Sequence, residues 1–235
     1  MRRSWRSWRS WRSWRSWRSW RSGHAAAVAL FSIVFLAARQ SDAQAPVALS
    51  GSAEVMTAQL AREGTLSRSW TGAIMGARGG ISFSRFTLEG RYAQGSLTPE
   101  TGTLGDGEDL VDGLILLRVQ VREWLSVAGG PRLRAFVTPA GTSRWSRIEA
   151  RARVEGEVID GLAYAHFEGW YALAVDANVQ GGGSGAQGGE AGLSVRLRNT
   201  PVALQLTYTA DRATFSNGGS EFLEGVSLAL RLARF

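Results

Sequence analysis

Polar and apolar residues alternate with a period of two along most of the chain beyond the first 45 residues. In residues 145–158, Arg147 and Glu149 share one face, whereas Ile148 and Val154 share the other. Successive side chains of a β-strand point to opposite faces, so this pattern predicts a strand with one charged and one apolar side. Helical periodicity is almost absent from the same region, and we therefore expect an all-β domain.

The same alternation delimits ten candidate strands. They cover residues 47–57, 70–84, 86–96, 109–122, 124–137, 145–158, 161–178, 187–199, 201–213 and 222–235. Most of them exceed the ~9–11 residues that a tilted strand needs to cross a bilayer. The pattern predicts a closed antiparallel up-and-down transmembrane β-barrel of about ten strands, with eight as the smaller alternative.

The connections between these candidate strands alternate in length. Short ones lie near Arg85 and Glu123 and at 160–161 and 199–200. Longer ones, rich in Gly, Ser, Thr and acidic residues, lie at 58–69, 97–108, 138–144, 179–187 and 214–221. This order predicts a barrel with both termini and the short turns in the periplasm and the long loops outside.

A perfect repeat opens the chain, in which the triplet Arg-Ser-Trp occurs six times from Arg3 to Trp20. Basic residues interleaved with tryptophan can bind nucleic acid or anionic lipid. Tandem duplication in the gene, or a start site placed too far upstream, would also produce such a tract. The apolar segment that follows favours an extended basic end of a signal peptide.

Residues 25–38 form that uninterrupted apolar segment. It is shorter than the ~20 residues that a permanent membrane-spanning helix needs. Ser41 and Ala43 follow it and satisfy the small-x-small rule for signal cleavage. The sequence therefore predicts a cleaved signal peptide over residues 1–43 and a barrel domain over residues 44–235.

The positive charge of the chain is concentrated in its leader. Residues 1–44 hold nine of the 27 basic residues and one of the 20 acidic residues, which leaves 18 and 19 for the remainder. A nearly neutral domain lacks the basic surface of a nucleic-acid binder, and we expect no nucleic-acid partner. The absence of cysteine excludes a disulfide framework, a thiolate metal site and a lipidated N-terminal cysteine.

The signal peptide, amphipathic strands, loop order and terminal strand together resemble those of bacterial outer-membrane β-barrel proteins. The resemblance spans the domain without indicating a single family or an oligomeric state. It implies a place in the cell outer membrane, contact with its lipid, and a last strand ending in Phe235 that the barrel-assembly machinery reads. Leu228, Leu230 and Leu232 lie on the opposite parity from Phe235. A bulge near the end would restore the usual register.

The charged strand faces predict the contents of the lumen. An Arg facing hydrocarbon at mid-depth costs about 2–4 kcal/mol, so a membrane barrel turns these groups inward. We expect cross-bracing ion pairs that join Arg147, Arg151, Arg153, Arg196 and Arg198 to Glu149, Glu155, Glu157, Glu168 and Glu190. Such a barrel would be structural or would admit only small solutes. Alternation alone leaves open a secreted soluble β-barrel that binds an apolar ligand inside.

One histidine of the domain offers an enzymatic alternative. His166 precedes Glu168 by two residues on the same predicted face. A histidine beside a carboxylate can act as an oriented general base, and Ser194 or Ser126 could supply a nucleophile. This arrangement would suit a lipid hydrolase or protease. The competing interpretation is a histidine within a polar lumen network, and no nucleophile elbow or metal-ligand cluster supports catalysis.

An acidic run in a predicted external loop is the one candidate metal site. Asp106, Glu108 and Asp109 lie beside Gly105 and Gly107 and could form a weak site for Ca²⁺ or a lipopolysaccharide-linked cation. The ligand spacing of a calcium loop is missing, so a solvated loop is the alternative interpretation. The sequence indicates no cofactor.

Aromatic residues near the predicted strand ends suggest two interfacial belts. Trp70, Trp145 and Phe222 would belong to the outer belt. The periplasmic belt would hold Phe83, Phe86 and Trp124.

Overall fold

The computed structural model describes residues 47–64, 67–101, 106–179 and 182–232, which form one closed barrel of ten antiparallel strands. The strands are β1 Val47–Glu63, β2 Arg68–Phe83, β3 Phe86–Pro99, β4 Glu108–Arg122, β5 Leu125–Thr138, β6 Gly141–Ile159, β7 Ala163–Ala177, β8 Gly183–Arg196, β9 Val202–Phe215 and β10 Ser220–Leu232. Each strand pairs with its neighbours in sequence, and β1 pairs with β10. The predicted all-β up-and-down barrel is confirmed. The predicted signal peptide and the boundary at residue 44 lie outside the described residues.

The β1–β10 ladder closes the cylinder and removes the free sheet edges. It runs without a register shift from the pair Gly51 and Leu232 to the pair Glu63 and Ser220. A bulge that would restore the register of the last strand is therefore not found up to Leu232, and Phe235 lies outside the described residues. No helix in the described ranges is long and apolar enough to span a membrane.

The barrel has a terminal end, where β1 begins and β10 ends, and a loop end opposite. The terminal end carries the connections 84–85, 123–124, 160–162 and 197–201. The loop end carries 64–67, 100–107, 139–140, 178–182 and 216–219. The predicted sorting by length is only partly correct, because one loop-end connection has two residues and one terminal-end turn has five. Strand pairing of β5 with β6 continues into the predicted loop as far as the pair Thr138 and Gly141.

Large apolar side chains cover the outside of the barrel over its terminal part. Leu228 is 56 % exposed and Leu117 is 52 % exposed. The same face holds Val55, Met75, Leu133, Leu206 and many similar residues. Arginine and carboxylate side chains are buried inside. This confirms the predicted orientation of a transmembrane barrel, whereas a soluble barrel would need its leucines and valines at the centre along its whole length.

The pattern inverts at the loop end. There the outward side chains are polar and exposed, including Gln59, Ser96, Thr98, Asp109, Arg144, Ser146, Gln187 and Arg212. The inward side chains are apolar and form a buried cluster that we call the apolar plug: Leu60, Trp70, Leu97, Leu110, Phe136, Trp145, Ala186, Ala213 and Leu223. A wall with polar groups outside and apolar groups inside is suited to water rather than lipid on its outer surface. The strands therefore extend beyond the outer apolar surface of the terminal part, which we call the apolar band. We call the loop-end section, where polar residues face outward and apolar residues face inward, the collar.

The collar changes the assignment of the outer aromatic belt. Trp70 and Trp145 are buried inside the plug and Phe222 is half-buried, so they do not form the predicted belt. Exposed tyrosines lie instead at the collar border of the apolar band: Tyr92, Tyr171 and Tyr208. At the terminal end, the predicted aromatics are outward and exposed: Phe83, Phe86 and Trp124.

A bulge in β7 shifts the facing of its last residues. Ile148 pairs with Ala174 whereas Glu149 pairs with Ala172, so Leu173 is the extra residue. Two residues opposite one reverse the alternation beyond the bulge. Asp176 therefore points outward, although strict alternation from His166 would place it on the same inward face. The same shift brings Val175 against the apolar plug.

Candidate functional site

A layer of charged side chains crosses the lumen next to the apolar plug, on the side of the terminal end. Asp211 lies at its centre and is 1 % exposed. Its carboxylate accepts hydrogen bonds from Arg132 at 2.9 Å, Arg134 at 3.1 Å and Arg147 at 2.7 and 3.0 Å. The indole N–H of Trp170 donates to Asp211 at 3.2 Å. Both oxygens of this carboxylate therefore accept hydrogen bonds from arginine, and Oδ2 also accepts one from the indole.

Asp112 holds two of the same arginines from the other side. Its Oδ2 accepts from Arg132 at 2.7 Å and from Arg134 at 3.0 Å. Charge-assisted Arg–carboxylate bonds are the stronger hydrogen bonds of proteins and fix geometry as well as charge. Because Asp112 lies on β4 and Asp211 on β9, the arginines bridge distant parts of the wall and obstruct the lumen.

The adjoining layer contains the ion pairs that the sequence predicted best. Arg151 binds Glu149 at 2.5 Å and Glu168 at 2.8 Å. Arg147 Nε lies 2.9 Å from Glu149 Oε1, and Arg118 binds Glu168 at 2.7 Å. Glu149 and Glu168 are buried, so this layer continues the obstruction toward the terminal end.

Other predicted pairs lie apart from these layers. Arg153 binds Glu155 at 2.6 Å near the terminal end. Glu157 instead accepts a hydrogen bond from the backbone N–H of Gly161 in the β6–β7 turn. Arg198 is exposed in the turn after β8. The prediction of lumen pairs was wrong for Glu157 and Arg198, because Glu157 is exposed close to the end of β6 and Arg198 lies beyond the end of β8.

Glu190 and Arg196 complete the predicted set. Glu190 is buried, and its carboxylate lies 3.5 Å from His166 Nε2 and 3.7 Å from Arg78. The guanidinium of Arg196 lies over the ring of Tyr164, 5.8 Å from its centroid. Glu190 therefore approaches His166 and Arg78 rather than the arginines of the two central layers.

The histidine candidate is buried within the polar lumen and is 5 % exposed. Glu168 shares its face, as expected, but its carboxylate is bound by Arg118 and Arg151 rather than by His166. The carboxylate that approaches His166 is that of Glu190. His166 and Glu168 therefore do not form the expected dyad, because each lies closer to other charged residues than to the other.

The two serine candidates are engaged elsewhere. Ser194 Oγ donates to the carbonyl oxygen of Tyr164 at 3.4 Å. Ser126 Oγ accepts from Arg118 at 3.0 Å. Among the described residues, neither serine has a hydrogen bond to His166. The role of His166 as a general base stays a prediction that this arrangement does not strengthen.

The three acidic residues of the metal candidate point in different directions. Glu108 faces inward and binds Arg62 at 2.5 Å, whereas Asp109 faces outward and accepts from Ser96 Oγ at 2.6 Å. Asp106 precedes β4 and is exposed. Over the described residues, no group of three His, Cys, Asp or Glu side chains is placed to hold a metal ion.

Arg62 inserts a charge into the apolar plug. Its guanidinium lies 5.1 Å from the ring centroid of Trp70 and 4.7 Å from that of Phe136. Its charge is matched by Glu108 and by Glu221, which it binds at 2.9 Å. Stacking on aromatic faces and donation from separate guanidinium nitrogens to two carboxylates suit Arg better than Lys, and together they hold the plug across the loop end.

Comparison with solved structures places this barrel among known folds. No family model and no curated protein matches the sequence. The outer membrane protease OmpT from Escherichia coli aligns with 79 % of this chain and 96 % of its own, at 6 % identity and a TM-score of 0.50. The chain has the fold of a bacterial outer-membrane β-barrel.

Two further solved structures align with the chain at lower TM-scores. Neisserial surface protein A aligns at 12 % identity over 80 % of this chain and 99 % of its own, with a TM-score of 0.38. The translocator domain of autotransporter NalP from Neisseria meningitidis aligns at 12 % identity over 90 % and 97 %, with a TM-score of 0.42. At sequence identities this low, the alignments indicate a similar fold and nothing about function.

Small cavities lie between the side chains of the described lumen residues. Three of them have volumes of about 60, 20 and 10 Å³. A buried water needs roughly 10–15 Å³ of such space, so each cavity holds one to a few waters. The plug and the charged layers lie across the same lumen, and the arrangement can obstruct solutes rather than guide them.

Proposed function

We propose that this chain is a closed, non-enzymatic outer-membrane barrel with a structural role, admitting at most water and the smallest ions. The observation that carries the proposal is the double closure of the lumen. The apolar plug crosses the loop end, and the layer around Asp112 and Asp211 crosses the middle.

The energetics of these two layers favour a closed barrel. Removing one partner of a buried ion pair costs about 3–5 kcal/mol, because the other charge stays buried and unpaired. Opening a path beside Asp211 would separate it from three arginines at once. Wetting the plug would add the cost of exposing apolar surface, about 25 cal/mol per Å². Spontaneous opening is therefore expected to be rare.

The outer surface supports a place in the outer membrane. The apolar band would contact lipid acyl chains, and the collar would stand in the aqueous or headgroup region outside. We infer that the termini face the periplasm, that a signal peptide directs export, and that the barrel-assembly machinery inserts the chain through its last strand. Detergent-dependent solubility and heat-modifiable gel mobility in the outer-membrane fraction would test this location.

Single-channel recording in planar lipid bilayers tests the closed lumen. The wild-type barrel should show no conductance approaching that of a general porin. The double variant Trp145→Ala/Arg147→Ala removes adjacent inward groups of the plug and the charged layer, and its conductance should rise. A matched control, Arg144→Ala/Ser146→Ala, alters the outward neighbours and should stay closed. Porin-like conductance of the wild type would overturn the proposal.

A further inference from the structure

The cavity of about 60 Å³ lies in the lumen toward the terminal end, beyond the closed layers. Its wall holds four arginines and three glutamates: Arg78, Arg91, Arg153, Arg231, Glu54, Glu89 and Glu190. Hydroxyl and amide groups from other strands fill the gaps between them, including those of Ser52, Gln205, Thr207 and Ser227. Side chains of several strands thus converge on one polar space.

Some of these charges are neutralised by close partners. Arg91 binds Glu54 at 2.7 Å. Glu89 is bound at 2.8 Å by Arg118, which belongs to the charged layer. These pairs are complete and leave no charge for a ligand.

Two of the remaining arginines, Arg78 and Arg231, are not matched in this way. Arg153 binds Glu155 at 2.6 Å, but Arg78 only approaches Glu190 at 3.7 Å. Arg231 has no carboxylate at ion-pair distance within the part of the chain that the structure describes. At longer range it lies among two cations, Arg153 and Arg78, and two carboxylates, Glu155 and Glu89, which already have the arginine partners named above. Three arginines therefore face two carboxylates, and the cavity has an excess of positive charge.

We propose that this cavity binds a small tetrahedral oxyanion, phosphate or a phosphate monoester, between Arg78 and Arg231. A volume of about 60 Å³ corresponds to four or more waters at roughly 10–15 Å³ each, which is room for the five heavy atoms of phosphate. Guanidinium groups present paired N–H donors that match an oxyanion. The hydroxyls of Thr207 and Ser227 supply further donors around it.

The position of the cavity sets how a ligand would reach it. Arg78 keeps 27 % of its side-chain surface exposed, and Arg231 is also partly exposed. Both lie between the charged layers and the terminal end, so the ligand enters from that end. A free phosphate would fit wholly inside, and a monoester would leave its organic part toward the opening.

Isothermal titration calorimetry on the folded, detergent-solubilised barrel tests the site with inorganic phosphate. We expect one phosphate per barrel in wild type. Arg231→Gln and Arg78→Gln should each weaken binding at least tenfold, because each removes a charged donor. Ala229→Leu keeps every charge but fills the cavity wall, and it should abolish binding. Arg144→Gln, an exposed arginine of the collar, should bind as wild type does.

Heat-modifiable gel mobility establishes that each variant is folded before titration. Glycerol phosphate distinguishes a site for a phosphate monoester from a site for free phosphate. If it binds as tightly as phosphate, the site accepts monoesters; if it binds more weakly, the ligand is free phosphate. Acetate serves as the planar comparison and should bind at least tenfold more weakly. The proposal is overturned if wild type fails to bind millimolar phosphate, if acetate binds as tightly, or if folded Arg231→Gln and Ala229→Leu variants bind unchanged.

Discussion

Arg147 and Asp211 join β6 to β9 across the lumen through two parallel hydrogen bonds, from Nη1 to Oδ1 at 3.0 Å and from Nη2 to Oδ2 at 2.7 Å. These strands are not neighbours in the sheet, because β7 and β8 lie between them, so the pair links separate parts of the wall. Both side chains are almost fully buried. The pair is therefore sensitive to any change that leaves one charge without the other.

Replacing the central carboxylate should strongly destabilise the barrel. In Asp211→Asn, the guanidinium groups of Arg132, Arg134 and Arg147 lose the charge that they share. We expect a loss of about 3–5 kcal/mol in the free energy of unfolding, measured by reversible urea unfolding in lipid vesicles. Asp109→Asn is the control, because Asp109 is exposed on the collar and should change stability by less than about 0.5 kcal/mol. Similar losses for the two variants would contradict the role of the layer.

A methyl group at Gly188 should disturb the same layer through packing. A Cβ there would lie 2.4 Å from the carbonyl oxygen of Ala210 and 2.6 Å from ring atoms of Trp170, which donates to Asp211. Overpacking of this kind costs about 1–3 kcal/mol. Urea unfolding of Gly188→Ala should show that loss. Gly90→Ala, where a Cβ meets nothing within 4 Å, should leave stability close to wild type.

Most of the fold was predictable because the membrane imposes one rule on every strand. Within the apolar band, lipid requires an apolar outer face, so alternation alone located all ten strands. The rule reverses in the collar, where water replaces lipid. Trp70 and Trp145 were therefore correctly placed near strand ends but assigned to the wrong side of the wall. The extra residue Leu173 was also missed, since a single bulge leaves no signal in a chain of small and apolar residues.

The lumen network was predictable in kind but not in detail. Pairs close along one strand or between adjacent strands, such as Arg151 with Glu149 and with Glu168, follow from alternation and pairing. By alternation, Asp112 and Asp211 also fall on the polar faces of the candidate strands 109–122 and 201–213. Their meeting through Arg132 depends on the stagger of strands around the barrel, which no local pattern encodes.

An arginine introduced on the outer surface should show which part of the barrel lies in the hydrocarbon of the membrane. Leu206 is outward, 54 % exposed, and paired with Leu228 and Leu193 on its neighbouring strands. Leu206→Arg should cost about 2–4 kcal/mol in vesicles, as expected near the bilayer midplane. Gln187→Arg places the same charge on the outer face of the collar and should cost less than about 1 kcal/mol. Equal costs would show that the collar lies within the hydrocarbon.

Removal of the imidazole should leave any hydrolytic rate of the purified protein unchanged. His166 is buried beside Glu190, and Glu168 is occupied by Arg118 and Arg151, so the arrangement lacks an oriented base near a free nucleophile. Protease and lipid-hydrolase assays of wild type and His166→Ala test this directly. General-base catalysis contributes about 10²–10⁴-fold, so a hundredfold loss in the variant would establish a barrel enzyme. Ser194→Ala, which leaves the histidine in place, would then show whether that serine is the nucleophile.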